Sequence, residues 1–269
     1  MSIQIESAAN PTVKLTASLF EKKGRDKSGL FVLEGERFVA ELLPLDETGA
    51  AGHSFRARHF MASEGFAQKR ELDAYEAVAE VYIVKDEVFR RISDVETPQG
   101  ILAVCEQQRH TPEDLLHGEN PLILLLDEMQ DPGNLGTALR LADAAGADGV
   151  ILSKGSADAY NPKALRAAAG SALHVPFASD CDMASVIPML QARNIAVYAA
   201  MPHVDTLPYA LDLTKGTAFL IGNEARGLSP ETAALADAQV TLPMPGRAES
   251  LNAATACGIL VYEAVRQRL

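Results

Sequence analysis

The residues of this chain best suited to chemistry fall in three short stretches. The first, DEMQDPGNLGTALR, runs from Asp127 to Arg140. In it Asp131, Pro132 and Gly133 read as a turn, Asn134 as the cap of the following helix, and Arg140 as a side chain near the same helix end. The second is IGNEARGLSPE, where Ile221 precedes Gly222, and Gly222 and Gly227 bracket Asn223, Glu224 and Arg226. Glycines in such a place let backbone approach a ligand or take a positive φ. The third, LPMPGRAESLN, carries Leu242, Met244, Ser250, Leu251 and Asn252. Its prolines fix the backbone, and Ser250 is expected to cap a helix that has Asn252 in its first turn. Each stretch read alone is also an ordinary loop leading into a helix. No GxGxxG follows a strand, and there is no GxxxxGK[ST] and no GxSxG, so dinucleotide, P-loop and nucleophile-elbow chemistries lack their motifs. Cys105, Cys181 and Cys257 form no CxxC pair, and the histidines lack ligand spacing, so neither a metal site nor a redox motif is expected.

The elements that must position these loops alternate along the chain. Residues 122–126 form an unbroken apolar run, as in a strand buried on both faces. A helix is predicted over 135–145, ended by Gly146. Further strands are predicted at 150–152, 173–177, 195–199, 218–221 and 240–242. Helices are predicted at 162–169, 183–192, 230–236 and 250–267. Such alternation implies a mostly parallel sheet covered on both faces, with ligands beyond the carboxyl ends of its strands. All three stretches follow an apolar run and so lie at those ends. The earlier part reads as a smaller α/β domain. It has helices at 13–21 and 37–43, the latter stopping before Pro44, and strands at 29–35, 81–84 and 100–104. A polar stretch with two prolines separates the halves. The expected organisation is a domain over 1–107, a linker over 108–120 with a short helical turn, and a larger domain over 121–269.

The 269 residues suffice for two domains, and 48% apolar with 22% charged residues is the balance of a soluble globular protein. That excludes disordered, collagen-like and disulfide-scaffold classes. No apolar stretch approaches the roughly 18 residues a membrane span needs, and the N-terminus MSIQIESAANPTVKL lacks a secretory pattern. A cytoplasmic protein is expected. Asp and Glu outnumber Lys and Arg by 36 to 24, a net charge of −12, which argues against a protein that coats nucleic acid non-specifically. A local exception is Lys14, Lys22, Lys23, Arg25 and Lys27, opposed only by Glu21 and Asp26. That cluster reads either as a solvated helix end or as a nucleic-acid contact.

In order and spacing, NLGTALR, IGNEARGLS and LPMPGRAESLN together resemble the SpoU (TrmH) family of RNA 2′-O-ribose methyltransferases, over residues 122–266. KLTASLFEKKGRDKSGLFVLEGERFVAELL and ETPQGILAV are similar to the substrate-binding domain that many members carry, which has the α/β fold of an RNA-binding ribosomal protein. The resemblance implies a C-terminal α/β knot, a deep trefoil around a mostly parallel sheet. It implies S-adenosyl-L-methionine held at Gly222, Leu242 and Leu251, with Ile221 and Met244 beside it, and no metal. Asn134, Arg140, Glu224, Ser250 and Asn252 match the catalytic set. In that set Arg140 meets the ribose hydroxyl and the adjacent phosphate, as general base or as an orienting and charge-stabilising group. Glu224 fixes Arg140 or the ligand, while Ser250 and Asn252 orient the nucleotide and the knot helix. RNA contacts are expected at Lys14, Lys22, Lys23, Arg25, Lys27 and Arg37. The family pairs as homodimers, and Ala254, Ala256 and Gly258 would permit close helix contact. Asn161, Pro162, Lys163, Arg166 and Gly170 match a further family segment, while Ala225 and Ala168 stand where glycine and serine are common. The implied substrate is ribosomal RNA. The alternatives are transfer RNA, or a non-catalytic RNA-binding protein of the same fold.

Overall fold

The computed structural model describes residues 2–43 and 55–269. Pro44, expected to stop a helix, lies outside the described residues. The chain divides into two compact units: Met1–Gln108 with Tyr160–Leu165, and Arg109–Ala159 with Arg166–Leu269.

The first unit contains β1 (Ile3–Ile5), α1 (Pro11–Ser18), α2 (Lys22–Ser28), β2 (Leu30–Glu34), α3 (Glu36–Ala40), β3 (Ala57–Ser63), α4 (Glu64–Ala67), α5 (Asp73–Glu76), β4 (Glu80–Val84), α6 (Asp86–Arg91) and β5 (Ile101–Glu106). Its sheet has the order β1-β4-β3-β5-β2. β1, β3 and β4 are mutually parallel, and β5 runs antiparallel to both β3 and β2. The carboxyl ends of β1 to β4 therefore share one edge of the unit with the start of β5. One face of the sheet, with Val32, Met61, Val84 and Leu102, packs against Val13 and Leu19 from the N-terminal helical region and Phe89 of α6.

The helix expected over 13–21 is two helices. α1 stops at Ser18, and α2 crosses its end so closely that a Cβ on Gly24 would lie 1.9 Å from the Ser18 carbonyl oxygen. Arg25 is not a surface contact. It is 1% exposed, and its guanidinium Nη1 donates to the carbonyls of Leu19 and Phe20 at 2.8 and 3.0 Å. Those carbonyls, at the end of α1, have no helical partner of their own. Lys14, Lys22, Lys23, Lys27 and Arg37 are exposed.

The second unit contains β6 (Leu122–Leu126), α7 (Pro132–Ala144), β7 (Gly149–Ser153), the last three residues of α8 (Pro162–Ala168), β8 (Phe177–Cys181), α9 (Met183–Ala192), β9 (Ala196–Ala200), β10 (Thr217–Ile221), α10 (Pro230–Ala233), β11 (Ala238–Val240) and α11 (Ala253–Arg268). Its six strands lie in the order β11-β9-β10-β6-β7-β8, every pair parallel. α9 covers one face, where Ile187 and Leu190 meet Ile123, Ile151 and Val197. α11 packs on α7. Gly258 permits this approach, since a Cβ there would lie 3.2 Å from Leu141 Cδ2. The small residues of α11 are thus partly spent inside the chain: Ala254 is buried, and the exposed face carries Ile259 and Tyr262.

Several boundaries differ from the sequence reading; the helix expected over 230–236, for one, is only Pro230–Ala233. The strand expected at 173–177 is a 3₁₀ turn at Ser171–Leu173, followed by β8 from Phe177. The N–H groups of His174 and Val175 both donate to the Ser171 carbonyl, and Pro176 has no N–H, so strand pairing cannot begin earlier. β11 ends at Val240, before Leu242, and the Thr241 N–H turns to the Thr206 carbonyl. The expected linker does carry a short turn at Pro112–Leu115. Leu115, however, is fully buried in the second unit's core, against which Gly149 leaves room.

Arg25→Ala would leave two carbonyls without their donor and a void beneath α1. It is expected to lower the stability of the first unit by about 2–4 kcal/mol. A shift of the urea midpoint monitored by circular dichroism checks this.

Candidate active site

In the second unit the chain proceeds from β6 outward to β7 and β8, then crosses over to β9, β10 and β11 on the other side. β6 and β10 are neighbours at the point where the order reverses. The loops leaving their carboxyl ends stay joined there: the Asp127 N–H donates to the Ile221 carbonyl and Asn223 Nδ2 to the Glu128 carbonyl, both at 2.8 Å.

Glu224, in the loop after β10, reaches the loop after β6. Its carboxylate accepts hydrogen bonds from the backbone N–H groups of Gln130 (3.2 Å) and Asp131 (3.0 Å) and from Asn134 Nδ2 (3.1 Å). Asn134 Oδ1 in turn accepts from Asn252 Nδ2 at 2.9 Å. Asn252 Oδ1 then accepts from the N–H groups of Ala254 and Thr255 and caps α11. Three loops far apart in sequence are tied by one chain of side-chain bonds. Partial burial pushes the Glu224 carboxyl up, but the N–H donors around it outweigh burial and hold it below the usual carboxylate range.

Both helix caps differ from expectation. α7 is capped by Asp131, whose carboxylate accepts from the Asn134 N–H, with Pro132 at the first helical position. Asn134 therefore sits inside the helix, and its amide is free to make the cross-loop bonds. Asn252, rather than Ser250, caps α11.

Ile221, Gly222, Leu242, Met244 and Leu251 all line one cavity of about 790 Å³, together with Glu224 and Ser250. That volume falls within the roughly 300–1,000 Å³ typical of small-molecule sites. Its walls are apolar where Ile221, Leu242 and Leu251 stand. Among the described residues, the chain from Pro243 to Leu251 makes no backbone–backbone hydrogen bond, so its polar backbone groups remain available to a ligand.

Arg140 lies in the third turn of α7, exposed and outside the lining of that cavity. Glu224 does not fix it, because the described bonds of the Glu224 carboxylate go to Gln130, Asp131 and Asn134. Among the described residues Arg140 makes no hydrogen bond or ion pair, so its donors remain unspent.

Sequence reasoning passed over two residues. Asn223 is buried; its Nδ2 donates to the Glu128 carbonyl at 2.8 Å, and its Oδ1 accepts from the Ala225 and Arg226 N–H groups. Glu128 has φ 51°, rare for a residue with a Cβ. It is held there by the Asn223 bond, by its own N–H donating to Ser153 Oγ at 2.7 Å, and by its carboxylate on the Arg226 guanidinium. The opposite charges noticed in IGNEARG do not pair with each other: Glu224 and Arg226 each hold a different part of the loop after β6. Among the described residues no group of three or more His, Cys, Asp or Glu side chains gathers as metal ligands, and no helix is long and apolar enough to cross a membrane.

A cavity at the carboxyl ends of β9, β10 and β11, beside a polar lattice that joins three loops, defines a ligand-binding α/β enzyme unit. Comparison with known proteins makes this specific. The SpoU rRNA Methylase family matches residues 121–262, and the MRM3-like substrate binding domain matches residues 10–103. The 23S rRNA (guanosine(2553)-2′-O)-methyltransferase RlmP of Bacillus subtilis is 36% identical over 259 residues, covering 96% of this chain and 98% of that protein. The human mitochondrial rRNA methyltransferase 3 is 30% identical over 90% of this chain and 69% of its own length. Among solved structures, the AdoMet-bound rRNA methyltransferase from Sinorhizobium meliloti superposes with a TM-score of 0.86 at 32% identity, over 99% of this chain and 98% of that one. This chain belongs to the SpoU rRNA methylase family.

Gly222 faces the loop's own backbone: a Cβ there would lie 2.4 Å from Gly227 C and Leu228 N. Gly222→Ala is therefore expected to force open the Asn223–Gly227 turn and the cavity wall behind it. Loss of at least tenfold in affinity for S-adenosyl-L-methionine, read by calorimetry on folded protein, checks this.

Proposed function

We propose that this protein transfers the methyl group of S-adenosyl-L-methionine to a ribose 2′-hydroxyl of ribosomal RNA. The observation that carries the proposal is the strand-end cavity lined by Ile221, Gly222, Leu242, Met244 and Leu251, next to the Glu224–Asn134–Asn252 lattice. The close similarity to rRNA 2′-O-methyltransferases along nearly the whole chain supports the substrate class. Ribosomal rather than transfer RNA is favoured by the match of residues 10–103 to a substrate-binding domain.

The cavity suits the cofactor chemically. Its apolar walls fit an adenine ring, and the unspent backbone groups of residues 243–251 can bond the polar edges of a nucleoside and an amino acid. The cofactor supplies an electrophilic sulfonium methyl. The ribose oxygen forms the new bond to that carbon, the sulfur–carbon bond breaks, and the hydroxyl proton leaves to solvent. The protein's part is then to position the two reactants in line and to stabilise charge growing on the ribose oxygen. Arg140 is suited to the second task. A guanidinium barely deprotonates, so it serves as a donor to alkoxide and phosphate rather than as a base. Glu224, Asn134 and Asn252 act as positioning residues, holding the loop after β6, and with it the start of α7, against the cofactor loops.

The same reading includes a cytoplasmic protein, a trefoil-knotted second unit and a homodimer. Exposed Ile259 and Tyr262 on α11, each more than 40% accessible, support a partner copy on that face. Light scattering at micromolar concentration is expected to give twice the chain mass; a monomer would remove the dimer from the proposal.

The decisive test is methylation of unmodified rRNA transcribed in vitro. Arg140→Ala is expected to slow transfer by about 10²–10³ and to leave cofactor affinity within a few-fold. Arg140→Lys should restore little, because one ammonium cannot hold phosphate and hydroxyl as a planar fork does. A deoxyribose at the target nucleotide should block the reaction. A methyl group found on a base, or an Arg140→Ala variant at wild-type rate, would refute the mechanism.

A further inference from the structure

The first unit holds a cavity of about 390 Å³ that the sequence reading did not anticipate. Four chain segments build it, all at the shared strand-end edge of that sheet. Glu36 follows β2, Ser63 and Gly65 close β3, Asp86 follows β4, and Gln99 and Gly100 lead into β5. Direct bonds hold the frame: the Ser63 N–H donates to the Gly100 carbonyl (2.8 Å), the Glu36 N–H to Gln99 Oε1 (2.7 Å) and the Gly65 N–H to Asp86 Oδ1 (3.0 Å). Gly100, at φ 90°, is required by shape as well, because a Cβ would lie 2.7 Å from Ser63 Oγ and 2.9 Å from Phe66 Cβ.

The chemistry of the lining is directional. Phe66, Phe89 and Pro98 form apolar parts of the wall. Both carboxylates are already engaged: Glu36 takes Arg70 in a two-bond ion pair at 2.6 and 3.3 Å, and Asp86 takes the Gly65 N–H. Two cations on the rim, Lys69 and Arg90, are exposed and make no ion pair among the described residues. The cavity thus offers unspent positive charge beside an apolar wall, which fits one unstacked nucleotide of single-stranded RNA, phosphate outward and base inward. Its volume lies in the range of small-ligand sites and leaves no room for a duplex.

We infer that this cavity is the RNA-recognition site of the first unit, with Lys69 and Arg90 on the phosphodiester of an inserted nucleotide. The inference rests on the RNA-methyltransferase reading. It also moves the contact away from the lysines of α2. That helix ends just before β2 begins, and the five residues of β2, about 16 Å of strand, separate its end from the edge that holds the cavity.

The test uses the full chain and unmodified large-subunit rRNA transcribed in vitro, with RNA affinity measured separately from methyl transfer. Lys69→Gln/Arg90→Gln is expected to raise Kd and KM for RNA at least tenfold and to leave kcat at saturating RNA within twofold. Affinity for S-adenosyl-L-methionine and the circular dichroism spectrum should not change, and the slope of log affinity against log salt should fall by about 1, as one phosphodiester contact is lost. Poly-U should compete for wild-type protein better than duplex RNA does. The inference is overturned if the double variant binds RNA within twofold of wild type, if Lys22→Gln/Lys23→Gln/Lys27→Gln carries the loss instead, or if duplex competes equally well. A wild-type chain that binds RNA through Lys69 and Arg90 yet transfers no methyl group would uphold the site and overturn the catalytic reading.

Discussion

The Glu224 carboxylate accepts N–H donors from Gln130, Asp131 and the Asn134 side chain, and so binds the loop after β10 to the loop after β6. Those backbone donors lie in an irregular segment ahead of α7, where no strand or helix partner is available to them. A carboxylate with three N–H donors stays ionised even when partly buried, and each charge-assisted bond is stronger than a neutral one. Through Asn134 and Asn252 the same constraint reaches the first turn of α11. Of the three segments so tied, the loop after β10 and the chain ahead of α11 line the cavity.

A second set of contacts joins the same two loops. Asn223 and Arg226 hold Glu128 in a positive-φ conformation that its own backbone disfavours. Such conformations persist where the surroundings over-determine them. Gly222, with no room for a side chain, lets the 223–227 turn fold flat against its own strand end. The loop after β10 therefore combines a polar clamp with a steric requirement, and both act on the same cavity wall.

The two units place their cavities by the same rule, at the carboxyl ends of parallel strands, but their electrostatics differ. The chain carries −12 overall, so a polyanionic partner gains nothing from net charge. Affinity for RNA has to come from a few cations not already neutralised. Lys69, Arg90 and Arg140 meet that condition among the described residues, as do Lys14, Lys22, Lys23 and Lys27. Arg70, Arg91 and Arg226 are held by Glu36, Glu87 and Glu128. Recognition of this kind is local, geometric and strongly dependent on salt.

Short-range information was legible in the sequence wherever local physics decides. The apolar run at residues 122–126 is a buried strand, as its pattern suggested, α9 was legible from end to end, and the three polar stretches after strand ends are tied together by the Glu224–Asn134–Asn252 bonds. Sequence alone could not choose between neighbouring cap-competent residues. Asp131 and Asn134, or Ser250 and Asn252, are equally able to cap, and the choice depends on where tertiary packing lets the helix begin. β3 escaped notice because Arg58 and His59 look polar, yet His59 is buried, and burial lowers its pKa to about 4 and keeps it neutral. Arg25 sits in a basic run that reads as surface, and only the crossing of α1 by α2 turns it inward. The cavity of the first unit takes its walls from Glu36, Gly65, Asp86 and Gln99, which no spacing relates. Residue types and periodicity determined most strands and helices of the second unit and the chemistry of each loop. Long-range pairing of the strands decided which loops meet, because that choice is made by core packing between segments that carry no mark of one another.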